Sequence, residues 1–267
     1  EENFGEIFAI LSREAGKTIY DAISEVREAV DFIRYYSYEA RKLSRSKPRG
    51  RIVCISPWNF PLAIFTGQIV AALSVGNAVL AKPADFTPTI AIRAVELMYE
   101  AGVPRDSLQL LIGDGPIIGD ALVTSKFIDG ICFTGSTNIA KLINKNSATK
   151  GNPNASLIAE TGGINAMIVD STALPEQAVK DILASSFQSA GQRCSALRML
   201  YLQEDIAHKF LEMLYGAMDE LIVNDPWLAN TDIGPIISIN ATKDIEKYIN
   251  LANDENRVLH QVKIPAQ

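Results

Sequence analysis

Apolar positions along the chain switch between helical spacing and short unbroken runs, and the two kinds of segment alternate. From Asp21 to Lys42, apolar side chains fall at Ile23, Val26, Val30 and Ile33, with Tyr36 and Ala40 continuing the face, which predicts an amphipathic helix. Ile52 to Ile55 predicts a short buried strand. Prolines at 57 and 61 then hold the chain out of helix until Leu62, because a residue before proline is pushed from the α region. Leu62 to Leu73 predicts a helix closed by Gly76, and Ala78 to Ala81 a second strand with Lys82 at its tip. Thr87 before Pro88 predicts a helix start with a side-chain cap, and Gly102 and Pro104 its end. Strands over Leu108–Ile112 and Ile128–Phe133 flank a helix over Pro116–Thr124, and Ser136 caps a helix with inner face Ile139, Leu142 and Ile143.

Such alternation predicts an α/β fold with a Rossmann-like parallel sheet covered on both faces. Ligands of such sheets bind beyond the carboxyl ends of the strands, where Asn59, Lys82 and Ser136 fall. Leu157 to Ala159 predicts a strand ending at Glu160, and Gly162-Gly163 permits a sharp change of direction, so a domain boundary is placed between residues 162 and 163. Residues 163–267 then read as the start of a second α/β domain, with strands over Ala166–Val169 and Arg198–Leu202 and helices over Pro175–Ala190, Asp205–Leu221 and Asn240–Ala252.

Composition narrows the function. The 267 residues are 48% hydrophobic and 21% charged, enough for a sizeable core in one large or two medium domains. Net charge is −6, and the only basic run, Arg41 to Arg51, reads as a solvated connector, which argues against nucleic-acid contact. Three scattered cysteines argue for a reducing compartment and no disulfide framework, and no metal spacing is present. Cys54 and Cys132 sit in apolar runs as core thiols; Cys194 alone has polar neighbours. No apolar stretch approaches the roughly 18 residues of a membrane span and no export leader opens the chain. Its first residues, Glu1-Glu2-Asn3-Phe4, read as the middle of a longer protein.

Candidate chemistry gathers at four places. Cys194 follows a helix end at Gly191; a further turn opening there, with the Arg193 charge, would favour the nucleophilic thiolate. Glu160 ends an apolar strand, where desolvation would raise its pKa and suit it to activating water. Asn59, between prolines, offers a side-chain amide to a developing oxyanion, with the Cys194 N–H as second donor. Ser136 after Thr134-Gly135 opens a helix whose free N–H groups suit phosphate, and Lys82 at its strand tip either suits ribose or phosphate or is simply solvated. A G-x-G-x-x-G turn is absent. His208 and His260 have no thiol or hydroxyl partner in sequence and read as structural or surface residues, which disfavours a Cys-His hydrolase.

Together, Pro57-Trp58-Asn59-Phe60-Pro61, Lys82-Pro83-Ala84, Phe133-Thr134-Gly135-Ser136, Glu160-Thr161-Gly162-Gly163 and Gly191-Gln192-Arg193-Cys194 resemble the aldehyde dehydrogenase superfamily in order and spacing. Wider wording, from Ile55 to Gln68 and Ser189 to Arg198, resembles the L-glutamate γ-semialdehyde (pyrroline-5-carboxylate) dehydrogenase module of bifunctional bacterial proline utilisation proteins. The resemblance implies an NAD-binding domain over 1–162 and the N-terminal part of a catalytic domain over 163–267. It implies oxidation of the semialdehyde to L-glutamate by NAD through a Cys194 thiohemiacetal and thioester, with Glu160 as general base and Asn59 as oxyanion donor. It assigns cofactor contacts to Ser56, Pro57, Trp58, Lys82, Ala84, Asp85, Gly135, Ser136, Thr161 and Gly162, and substrate contacts to Phe187, Arg193 and Ser195.

As partners it implies a small aldehyde, a fused FAD-dependent proline dehydrogenase module outside this segment, and a homo-oligomer, in a cytoplasmic protein that can sit peripherally at the inner membrane. Two departures stand out. The family's acid three residues after the lysine is Glu and here is Asp85, and the connector from Tyr38 to Arg51 is short for the family's protruding strand pair. The resemblance further implies a fragment ending before the second cofactor-binding Glu, the Gly-rich carboxylate loop and the dimerisation strand, and so inactive by itself. The rival readings are a dehydrogenase for another semialdehyde, such as succinate semialdehyde, and a non-catalytic nucleotide-binding fragment.

Overall fold

The computed structural model describes residues 2–43, 46–262 and 264. These form two compact units, one made of residues up to Ala15 with Ala22–Gly162, the other of Gly16–Asp21 with residues from Gly163 onward. Their division falls at the Gly162-Gly163 step; the attachment of Gly16–Asp21 to the second unit has no counterpart in the sequence pattern.

The first unit runs α1 (Phe4–Ala15), α2 (Ile19–Lys42), β1 (Arg51–Ile55), α3 (Ala63–Leu73), β2 (Ala78–Lys82), α4 (Pro88–Glu100), β3 (Leu108–Leu110), a π-type turn at Gly115–Gly119 leading into the short α5 (Asp120–Val123), β4 (Gly130–Gly135), α6 (Thr137–Lys150) and β5 (Ser156–Thr161). Its strands form one parallel sheet in the order β3-β2-β1-β4-β5. Alternate residues of β1 feed two cores. Ile52 and Cys54 join Val79, Ala81, Phe65 and Ile69 on one face, while Val53 joins Ile131, Phe133, Val123 and Ile143 on the other. Both faces are therefore covered, as the continuous apolar strands predict.

Several local expectations are corrected. On α2 the buried residues include Asp21, Ala22, Glu25, Val26 and Ala29, while Ile23 and Ile33 are exposed, so the stripe is turned toward smaller residues and two carboxylates. On α6 the inner residues are Ala140, Ile143 and Ser147, and Ile139 and Leu142 lie outside. Thr87 is buried but makes no side-chain cap; the N–H groups of Thr89 and Ile90 donate instead to the Glu14 carboxylate of α1, at 2.7 and 3.0 Å. The described part of the basic run 41–51 is mostly exposed, and its Ser44 and Arg45 lie outside the described residues.

In the second unit, β6 (Asn165–Val169) and β7 (Leu197–Leu202) form a parallel ribbon, with α7 (Pro175–Phe187), α8 (Glu204–Asp219) and α9 (Ile239–Asp254). Val169 and Leu197 of the ribbon pack with Val179 and Ile182 of α7 and Phe210 and Leu214 of α8. The predicted helix over Pro175–Ala190 stops at Phe187, because Ser189 and Ala190 have φ of 55° and Gly191 of 68°, which no right-handed helix accommodates.

Candidate active site

In the first unit the strand order reverses between β1 and β4, and the ends of these strands open the crevice where doubly wound sheets hold ligands. Gln68 of α3 spans it: its Nε2 donates to Thr134 Oγ1 at 3.0 Å and to Ile55 O at 3.4 Å. Sequence reasoning missed Gln68, although a glutamine in the otherwise apolar Ala63–Leu73 helix is a signal. Ser56 donates its N–H to Lys82 O at 3.1 Å, and its buried Oγ finds no partner among the described residues. Beyond it Pro57 is buried and Trp58 and Asn59 are half-buried.

Lys82 is not solvated at its strand tip; it is 3% exposed. Its Nζ donates to Asp85 Oδ1 at 2.7 Å and to Pro83 O at 3.0 Å, leaving Ala84 half-buried between them. Asp85 Oδ2 accepts from Gly115 N at 3.2 Å, so the shorter acid ties Lys82 to the turn that follows β3. Ser136 caps α6, its Oγ accepting from Ile139 N at 3.3 Å, and is exposed at the helix's positive end. In the β4–β5 register Glu160 lies opposite Thr134 and Thr161 opposite Gly135. Glu160 is exposed, so the burial expected from its apolar strand is not found, since Ile158 and Ala159 are exposed as well; Gly162 follows with open space around it.

In the second unit Cys194 is exposed, whereas Cys54 is buried and Cys132 half-buried. A turn opens at Cys194, as expected, and leads into a strand and not a helix. This turn is closed by Ala196 N donating to Arg193 O at 3.2 Å, immediately before β7. Asn165, opening β6, fixes this turn by donating Nδ2 to Cys194 O at 2.8 Å and Ala196 O at 2.9 Å. Its signal was a lone amide between Gly162-Gly163-Ile164 and an apolar run. The preceding left-handed residues are braced as well. Ser189 Oγ accepts from the buried Lys17 Nζ at 3.2 Å, and Gln192 Nε2 donates to Ser189 O at 3.1 Å. Arg193 Nη1 donates to Gln188 Oε1 at 2.7 Å, and Ser195 is exposed beside Cys194. Phe187 lines a cavity of about 160 Å³ with Ile182, Leu197, Leu200 and Leu214. His208 is exposed beside Glu212, and His260 bonds Asp219 at 2.9 Å and stacks on Tyr215. Both imidazoles face carboxylates. Among the described residues no cluster suited to a metal ion occurs, and no helix is long and apolar enough to cross a membrane.

A doubly wound sheet with a polar crevice, joined in sequence to an exposed cysteine on a braced turn, defines an α/β enzyme-like architecture. Residues 1–264 match the model of the aldehyde dehydrogenase family, and the chain belongs to that family. It is 52% identical over 267 residues to the bifunctional protein PutA of Klebsiella aerogenes, covering 98% of this chain and 20% of that protein. Crystal structures agree with this kinship. Bradyrhizobium japonicum proline utilization A (mutant D779Y) matches with a TM-score of 0.93 at 49% identity, over 98% of this chain and 28% of that one. 1-Pyrroline-5-carboxylate dehydrogenase from Thermus with bound NAD matches with a TM-score of 0.89 at 32% identity, over 95% and 52%. The chain thus spans about a fifth of the length of the PutA relative it resembles.

Proposed function

We propose that the protein carrying this chain oxidises L-glutamate γ-semialdehyde to L-glutamate with NAD, in the cytoplasm, and that residues up to Gly162 serve the cofactor and those from Gly163 the thiol chemistry. The observation that carries this is Cys194, the exposed thiol of three, held on a turn whose carbonyls are fixed by Asn165. The name of the Thermus relative supplies the substrate class and the cofactor.

The residues present fit a dinucleotide. Ser136 and the free amides of α6 suit its pyrophosphate, and Lys82 with Asp85 its ribose. The orphaned Ser56 Oγ, with Pro57, Trp58, Gly135, Thr161 and Gly162, lies at the same strand ends. When bound, NAD supplies the hydride acceptor. Cys194 Sγ adds to the aldehyde carbon, and the Asn59 amide and Cys194 N–H hold the resulting oxyanion. Loss of hydride leaves a thioester. Glu160 takes a proton from water, which attacks that thioester and releases the carboxylate product and the thiol. Phe187, Arg193 and Ser195 hold the substrate. The wider protein includes an FAD-dependent proline dehydrogenase module and works as a homo-oligomer; the bifunctional name of the PutA relative supports the fusion.

The test is NADH formation by the intact protein with glutamate and succinate semialdehydes, compared by kcat/KM. Glutamate semialdehyde should win by at least about tenfold, and Cys194→Ser should remove all but roughly 10⁻³ of the rate. Glu160→Gln should give one rapid turnover and stall as an acyl-enzyme visible by mass. Retained turnover in Cys194→Ser would sink the reading.

A further inference from the structure

We propose that Glu25 is a positioning residue for Asn59, acting through the start of α3; this rests on the functional reading above. Glu25 is 2% exposed, on the buried face of α2. Its Oε2 accepts from Ala63 N at 2.8 Å and Leu62 N at 3.3 Å. Leu62 and Ala63 are the first residues after the Pro57–Pro61 loop, and α3 has no side-chain cap of its own, because Leu62 stands at the capping position. A carboxylate from 37 positions upstream therefore does what a neighbouring Ser or Asp does elsewhere: it satisfies free helix amides and places negative charge at the positive end of the helix.

This cap is fixed from both sides. One face of α2 also brings the Phe32 ring against Gly67 of α3, where an added Cβ would stand 2.9 Å from Phe32 Cδ2. Glu25 and Phe32 are two helical turns apart, Ala63 and Gly67 one, so the two contacts clamp one helix pair at two points. Pro61 and Phe60 are buried directly before the clamp. Only Phe60 and Pro61 stand between Leu62 and Asn59, and both are buried, so holding Leu62 and Ala63 restricts where the loop presents the Asn59 amide.

Catalysis of acyl transfer is sensitive to such placement, since one oxyanion donor is worth roughly 10²–10³ in kcat. In the full protein, Glu25→Gln should lower kcat about tenfold or more while KM for NAD stays within about twofold, and should speed hydrogen exchange at the Leu62 and Ala63 amides. Glu14→Gln weakens the same kind of distant cap on α4, taking its charge and one of its two acceptor oxygens, and serves as the control: comparable loss of thermal stability, kcat within about twofold. The deciding measurement is a double-mutant cycle with Asn59→Ala, in which Glu25→Gln should lose little further rate. Should Glu25→Gln not fold, Glu25→Asp, retracted by one methylene, should show a smaller loss with the same dependence on Asn59. An equal fold-loss in both backgrounds, or unchanged kcat despite faster amide exchange, would overturn the proposal alone. An unmodified protein that oxidises no aldehyde would overturn the functional reading, and the positioning role with it.

Discussion

Ser189, Ala190 and Gly191 all adopt positive φ, and only the glycine does so without strain. The other two each carry roughly 1–2 kcal/mol of left-handed strain, held by Lys17, Gln192 and Arg198 bonding into the turn. Gly191→Ala should destabilise the protein by about 2 kcal/mol or more. It adds the same strain, and its Cβ would lie 2.8 Å from Ser186 O, which together outweigh the 0.4–1 kcal/mol or so gained by stiffening the unfolded chain. Ala190→Gly reverses the balance and should be neutral or slightly stabilising; chemical denaturation of both variants checks the pair. A second residue-scale contrast concerns the thiols. Cys54 donates to Cys132 across the paired β1 and β4 strands, and this bond together with burial pushes the Cys54 thiol well up, while Cys132, as acceptor, is pushed down. Native protein treated with maleimide should therefore label at exposed Cys194 first, and raising the pH from about 7 to 9 should still leave Cys54 unlabelled until unfolding. Early labelling of Cys54 would contradict the packed β1–β4 pair.

Helix starts show what an element inherits from afar. Sequence placed a cap at Thr87, where local chemistry favours one, and the structure supplies it from Glu14, 75 positions before the Thr89 amide it accepts from. Long-range partners also explain the turned face of α2: a carboxylate is an unnatural choice for a core position until the amides of α3 arrive to pair with it. The central strands β1, β2 and β4 were legible because they are covered on both faces and so read as unbroken apolar runs, whereas β5 reads as apolar although Ile158 and Ala159 are exposed. Helix faces were less so, because small residues such as Ala22, Ala29 and Ala140 form the contact while larger neighbours stay outside. The α2–α3 contact yields a prediction of its own. Gly67→Ala gains about 1 kcal/mol of helix propensity but drives a methyl into the Phe32 ring, an overpacking worth about 1–3 kcal/mol. Net destabilisation of about 1 kcal/mol is expected from denaturant midpoints, and Phe32→Leu in the same background should relieve it.

Across the whole chain, the candidate thiol, carboxylate and amide could be picked out one by one, since each stands beside its own proline or glycine punctuation. The braces could not, because Asn165, Gln68 and Lys17 act on residues distant in sequence. Cofactor binding needs the whole β3-β2-β1-β4-β5 sheet to be folded with its carboxyl ends open. Ser136 stands exposed at the start of α6 and Lys82 is already held by Asp85, so the site needs little reorganisation to receive a dinucleotide. Binding to the folded form alone stabilises it by about 2.7 kcal/mol at a ligand concentration of 100 Kd. Titration of the chain with NAD should therefore raise its unfolding temperature progressively and saturably. Lys82→Ala should weaken the response, and Cys194→Ser should leave it unchanged, because the role proposed for the thiol is in the chemistry and not in nucleotide binding. A flat response up to millimolar NAD would show that the first unit does not hold the cofactor with the residues present here, and an equal response in Lys82→Ala would move the ribose site away from the tip of β2.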